Sequence, residues 1–171
     1  MKIAYADPPY LGCGARYYNA PEWDRIESHQ QLIVRLCSEF PDGWALSLHT
    51  PSLQIILPMC PSDVRIAAWV KPYSGGAYPN VNPIYAWEPV IYRGGRKGRD
   101  NNSTVDWIAQ SCPRSNNFIG QKPRKFCLWL FTLLGLQAED HFVDLFSGSG
   151  AVIAAWDEFC KQERAQLKLA I

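Results

Sequence analysis

Short apolar runs alternating with helical stretches constrain this chain more than any other feature of its sequence. Runs at Lys2–Ala6, 44–49, 64–70, 85–92 and 141–146 are each bounded by Pro, Gly or Asp, the punctuation expected of strands. A weaker run covers 166–170. Between them, 21–40 carries Ile26, Leu32, Ile33, Leu36 and Phe40 at helical spacing and stops at Pro41-Asp42-Gly43. Segments 52–57, 123–134 and 151–162 complete the expected helices. This alternation predicts an α/β sheet protein. A length of 171 residues suits a single domain with a sizeable core. From 94 to 120, Gly, Arg, Asn and Ser dominate, with one helical turn expected at 105–109; the segment reads as an insertion or long loop.

Composition narrows the function classes. No apolar run approaches the ~20 residues of a membrane span. The opening Met1-Lys2-Ile3-Ala4-Tyr5-Ala6 runs straight into Asp7-Pro8-Pro9, which leaves no room for a signal peptide, so a cytoplasmic location is expected. Six cysteines occur without a Cys-x-x-Cys pair or a neighbouring His, so they are expected as buried free thiols and no metal site is expected. Formal net charge is only +1, but Arg93, Arg96, Lys97 and Arg99 fall together, and Arg114, Lys122, Arg124 and Lys125 follow. Such clusters can position nucleic acid against a neutral average, or can line a solvated loop.

Two motifs carry chemistry. Asp7-Pro8-Pro9-Tyr10 directly follows an apolar strand, and ligands of α/β sheets bind at the carboxyl ends of strands. The two prolines fix φ and remove two backbone donors, leaving carbonyls free to accept. An exocyclic amine is a poor nucleophile because its lone pair is delocalised into the ring. An Asp7 oxygen and the Pro8 carbonyl, both accepting from the amine N–H bonds, would draw that nitrogen toward a tetrahedral shape. Tyr10 offers a face on which an extruded base can stack. The alternative is a rigid turn with Tyr10 covering the core.

The second motif, Val143-Asp144-Leu145-Phe146-Ser147-Gly148-Ser149-Gly150, reads as strand, glycine-rich turn and helix. Gly148 and Gly150 let the backbone approach a ligand, and a helix N-terminus presents unpaired N–H groups to an anion. Asp144 at the strand end can meet an ammonium group. The motif lacks the Gly-Lys-Ser/Thr ending of a phosphate loop and the three-glycine spacing of a dinucleotide fingerprint.

Together these motifs resemble the DNA amino-methyltransferases that act on adenine N6 or cytosine N4. The catalytic motif precedes the cofactor motif here, the order of the circularly permuted β group. The resemblance implies a SAM-dependent methyltransferase (Rossmann-like) fold, circularly permuted and shortened, with a mostly parallel sheet and S-adenosyl-L-methionine as cofactor. It assigns catalysis to Asp7, Pro8, Pro9 and Tyr10. It assigns cofactor binding to Asp144, Phe146, Ser147, Gly148 and Gly150, joined by Lys122 and Pro123 of the Lys-Pro that opens a helix ahead of the cofactor strand. Trp69-Val70-Lys71-Pro72 and Trp87-Glu88-Pro89-Val90 resemble later strands of the family. Lys71 is read as a surface strand cap and Glu88 as the partner of a nearby Arg, with a direct role in the site the alternative for each; His29 and His49 are read as structural. Tyr17, Tyr18 and Trp23 are candidate base contacts, with core or surface packing an equal alternative, and 11–20 reads as a lid loop hinged at Gly12 and Gly14.

Relatives place an acid for the SAM ribose after the next strand, and no acid follows Leu169. The expected partner is DNA, or RNA, held at Arg93, Arg96, Lys97 and Arg99 in the 94–120 segment through phosphates by default. A short target, or a homodimer presenting two such segments, would suit so small a reader. Adenine N6 is the leading acceptor because the motif begins with Asp; cytosine N4 and RNA adenine share the chemistry. A non-catalytic nucleic-acid-binding module on a degenerate methyltransferase fold, and a small-molecule amino-methyltransferase, are the readings from other classes.

Overall fold

The computed structural model describes residues 1–72, 83–97, 104–113 and 120–169, without the side chains of 167–169. Strands β1 (Lys2–Ala6), β2 (Gly43–Ser47), β3 (Arg65–Val70), β4 (Trp87–Gly94), β5 (Trp107–Ala109) and β6 (His141–Asp144) form one sheet in the order β5-β3-β4-β2-β1-β6. Helices α1 (Ile26–Glu39), α2 (Thr50–Ile56), α3 (Arg124–Leu134) and α4 (Ala151–Leu169) flank it. β1 pairs in parallel with β2 and β6, and β3 with β5, while β4 runs against both β2 and β3. The sheet is therefore mixed and mostly parallel.

Alternation along the strands splits the core in two. Ile3, Tyr5, Trp69, Val90 and Tyr92 pack with Phe126, Leu130 and Leu134 of α3 and Val152 and Ala155 of α4. Ala4, Ala6, Trp44, Leu46 and Ile91 face the other way, against Leu32, Ile33 and Leu36 of α1 and Ile56 of α2. In α1 the buried positions His29, Leu32, Ile33 and Leu36 repeat at helical spacing. α3 is apolar on nearly every side because it touches both the sheet and α4, and Gly135, at φ 64°, closes it in the left-handed conformation.

Two expectations fail. The turn expected as helical at 105–109 contains β5, which extends the sheet beside β3, so the 94–120 segment is not loop alone. The run at 166–170 belongs to α4 through Leu169. Both are short apolar runs, where a two-residue and a helical period are hard to tell apart. The thiols are free, but Cys112 is exposed and Cys13, Cys37 and Cys60 are half-buried; only Cys127 and Cys160 are buried. Among the described residues, no helix is long and apolar enough to cross a membrane.

β1 is the point where the chain order reverses, with β2 on one side and β6 on the other. Tyr5 lies in register with Asp144, and the Leu145 N–H continues the ladder to the Tyr5 carbonyl at 2.9 Å. The turns that follow these two strands therefore leave the sheet side by side, where ligands of open α/β sheets bind.

Candidate active site

A cavity of about 590 Å³ opens at this switch point. Tyr5, Asp7 and Pro9 line it from β1 and its turn, Leu145 to Ser149 from the turn after β6, and Gln121 and Lys122 from the approach to α3. The two motifs, 137 residues apart in sequence from Asp7 to Asp144, thus share one cavity wall. Pro8, Tyr10, Pro123, Asp144 and Gly150 are not part of the lining. Pro8 is buried, Pro123 is the N-cap of α3, and Gly150 accepts the first α4 hydrogen bond from Ala154 at 3.0 Å.

The glycine-rich turn behaves as its sequence demands. Gly148 and Gly150 have φ of 44° and 73°, and a side chain at Gly150 would meet nothing within 4 Å, so the backbone there faces open space. Asp144 accepts from the Phe146 N–H at 3.2 Å through Oδ1, while its buried Oδ2 has no partner among the described residues. Burial lifts its pKa from the ordinary 3.8 to about 6, the Phe146 hydrogen bond opposing.

Asp7 is embedded in an ionic network that its own motif does not contain. Its Oδ2 lies 2.7 Å from the Lys122 ammonium, and its Oδ1 accepts from the Tyr10 hydroxyl at 3.2 Å. The same hydroxyl reaches Glu88 Oε2 at 3.0 Å, and Lys122 lies 3.8 Å from that oxygen. Glu88 Oε1 takes the Lys71 ammonium. All four ionic side chains are largely buried, Lys122 almost completely. Burial raises the pKa of Asp7 despite Lys122. Burial also opposes ionisation of Glu88, but Lys122 and Lys71 prevail and hold it below the usual carboxylate range. Lys122 is likewise held above its usual range, against burial, by Asp7 and Glu88. Burial first, then the charges of Asp7 and Glu88, push the Tyr10 phenol well above its ordinary value.

One face of Tyr10 is stacked on His49, with ring centres 5.3 Å apart and planes at 11°. His49 Nδ1 sits 2.7 Å from Ser52 Oγ. Tyr17 and Tyr18 line the cavity from a tight turn (Gly14–Tyr18), whose first amides, Gly14 and Ala15, bond the Asp24 carboxylate at 2.7 and 3.0 Å. Gly14 sits against neighbouring backbone: a Cβ there would stand 2.3 Å from the Ala20 carbonyl oxygen. Trp23 packs edge-on against His29 and Phe146, away from the lining.

Of the basic cluster, the described members Arg93, Arg96 and Lys97 are not brought to this cavity. Arg93 lies opposite Trp44, near the start of β2, and its Nε bonds both Asp63 oxygens at 2.8 and 3.0 Å. Arg96 bonds the Gly135 carbonyl and both oxygens of Asp140. Arg93, Arg96 and Lys97 border a separate cavity of about 400 Å³ at that end of the sheet. Arg99 and Arg114 lie outside the described residues, as does Asn101.

The sequence reading missed the partners of Lys71, Glu88 and His49, and it gave Glu88 an Arg where the structure gives it two lysines. One signal was present. Asp7, Lys71, Glu88 and Lys122 are each followed by a proline.

No protein-family model matches the sequence, and no curated protein is significantly similar to it. Solved structures do match. M1.HpyAVI in complex with SAM superposes with a TM-score of 0.60 over 93% of this chain and 78% of that one, at 16% identity. M1.HpyAVI alone gives 0.57 over 93% and 77%, at 14%. A candidate DNA modification methylase of Thermus thermophilus gives 0.51 over 91% and 75%, at 14%. The sheet order, the shared cavity and these superpositions establish that the chain has the SAM-dependent methyltransferase fold.

Proposed function

We propose that the chain transfers a methyl group from SAM to the exocyclic amine of a base in DNA, with adenine N6 as acceptor. The observation that carries this reading is the single cavity lined by both Asp7 and the Phe146–Gly148 turn. Resemblance of both motifs to the DNA amino-methyltransferases supports it, as does the fold shared with a SAM complex.

The residues fit the cofactor. The unpartnered Asp144 Oδ2 calls for a donor such as the methionine ammonium, and the open turn ahead of α4 offers backbone N–H groups to its carboxylate. The cavity volume falls in the usual range for small-molecule sites, roughly 300–1,000 Å³. Phe146, Ser147 and Gly148 would line the cofactor together with Lys122, and Pro123 would set the start of α3 beside it. When bound, SAM would supply an electrophilic methyl group on a sulfonium, whose S–C bond breaks in the transfer to leave a neutral thioether.

The chain supplies position and charge. Asp7 and the Pro8 carbonyl accept from the amine and turn its lone pair toward the methyl carbon. As the new N–C bond forms, positive charge collects on the nitrogen. Asp7, raised toward protonation by burial, is placed to take the proton that the nitrogen must lose. Positioning within a preorganised polar site supplies the acceleration.

The direct test is transfer of labelled methyl from SAM to unmethylated genomic DNA, followed by nucleoside mass analysis, with Asp7→Ala as control. Label in N6-methyl-deoxyadenosine, lost in the variant, is expected. Label at cytosine N4 or only in RNA would move the acceptor, and no label in any base would overturn the reading.

A further inference from the structure

Both oxygens of Asp7 are occupied in this structure, one by Lys122 and one by the Tyr10 hydroxyl. Each Asp7 oxygen thus already accepts one bond, and an incoming amine N–H would have to share Oδ2 with Lys122 or Oδ1 with the Tyr10 hydroxyl. The Tyr10 hydroxyl has one proton, and it stands between two acceptors: Asp7 Oδ1 at 3.2 Å and Glu88 Oε2 at 3.0 Å. Its oxygen meanwhile lies 3.4 Å from the Lys122 ammonium, which can donate to it in either arrangement. Glu88 arrives from β4, the strand that runs against its neighbours, so the beginning of that strand stands beside the ends of β2 and β3, at the same end of the sheet as the end of β1. Lys71 occupies the other Glu88 oxygen and leaves Oε2 facing Tyr10.

We propose that Glu88 is a positioning residue that takes the Tyr10 hydroxyl away from Asp7 when the acceptor amine arrives, freeing Asp7 Oδ1 to receive an amine N–H. The inference rests on the methyl-transfer reading above and adds a member that neither motif contains. No covalent bond changes in this step; one O–H···O contact is exchanged for another and the amine N–H fills the vacated oxygen. Lys71 holds Glu88 ionised and oriented, and Lys122 stays on Asp7 Oδ2 throughout.

A double-mutant cycle isolates the exchange, because only a chain with a hydroxyl at position 10 needs it. Methyl transfer is measured for the unaltered chain, Glu88→Ala, Tyr10→Phe and the double variant. Glu88→Ala is expected to lower kcat about tenfold or more when Tyr10 is present, the scale of a hydrogen bond to a charged group. In the Tyr10→Phe background the same change should cost less than about twofold, the ordinary scatter of independent sites. General effects of removing the Glu88 charge enter both backgrounds and cancel. Equal losses in the two backgrounds would overturn the proposal. Should Glu88→Ala fail to fold, Glu88→Gln replaces it; that amide oxygen still accepts, so a smaller loss with the same dependence on Tyr10 is expected. If the unaltered chain transfers no methyl group, the methyl-transfer reading fails by itself. Carbon NMR of the Asp7 carboxyl then decides the exchange. Losing Glu88 should lower the Asp7 pKa further with Tyr10 present than with Phe there, and equal falls would sink it.

Discussion

Two charged clusters at opposite ends of the sheet treat charge in opposite ways. At the end away from the cavity, Arg93 grips Asp63 and Arg65 approaches Asp106, pairs whose carboxylates are more than half exposed. Each of these cations has its own acid, and water screens the pair. At the cavity end, Asp7 and Glu88 compete for Lys122 and for one hydroxyl proton, out of reach of most solvent. Exposed, completed pairs can be removed with little consequence. Shared, buried ones make each proton and hydrogen bond depend on the next, as groups that must change partners during a reaction require.

The contrast can be broken most severely at Asp7. Asp7→Ala should lower methyl transfer by about 10²–10³-fold with the fold retained, the scale of losing a preorganised polar contact to reacting atoms. Steady-state kinetics beside circular dichroism checks both halves. Lys122→Met leaves two buried carboxylates facing each other without their common cation. Breaking a buried pair from one side costs about 3–5 kcal/mol, so urea unfolding should show one of the largest losses of any single change in the chain.

Asp144 sharpens the comparison through pH. Its pKa of about 6 means that the acid is partly protonated in mildly acidic buffer. A ligand ammonium needs the anion, so SAM affinity by calorimetry should rise by up to about tenfold per pH unit below that value and level off above it. Stability moves the other way. The folded chain holds this proton more tightly than the unfolded one, so the contribution of the group is fullest near or below pH 3.8 and is lost as pH rises through about 6. Asp144→Asn should flatten both trends. The smallest effect is expected at Arg93→Ala. Denaturation midpoint, SAM affinity and methyl transfer should all stay close to those of the unaltered chain, and a loss of DNA affinity would return that end of the sheet to the nucleic-acid surface.

How much of this was legible depends on distance along the chain. β1 and the turn after β6 are complete local signals, an apolar run and its own stop, and the sequence reading placed both. Asp7 and Asp144 followed from them. β5 was hidden because three residues, Trp107 to Ala109, are too few to display a period. Glu88 and Lys71 were hidden for a different reason. Their meeting with Lys122 and Tyr10 requires knowing that β4 runs backwards between β2 and β3, and orientation within a sheet is a tertiary fact that no single segment encodes. The burial expected for every thiol failed outright at Cys112, just past the edge strand β5, and was only partial at Cys13, Cys37 and Cys60.

The prolines after Asp7, Lys71, Glu88 and Lys122 have a thermodynamic consequence. A residue that precedes proline is largely denied the α region, so these four backbones are restricted to extended conformations even in the unfolded chain. Much of the conformational entropy that ordering the four charged positions would otherwise cost has already been surrendered by the covalent sequence. The network thus starts with its side chains projecting from nearly fixed stems, and folding has chiefly to bring those stems together. What remains adjustable is the lightest element of the site, the direction of a single hydroxyl.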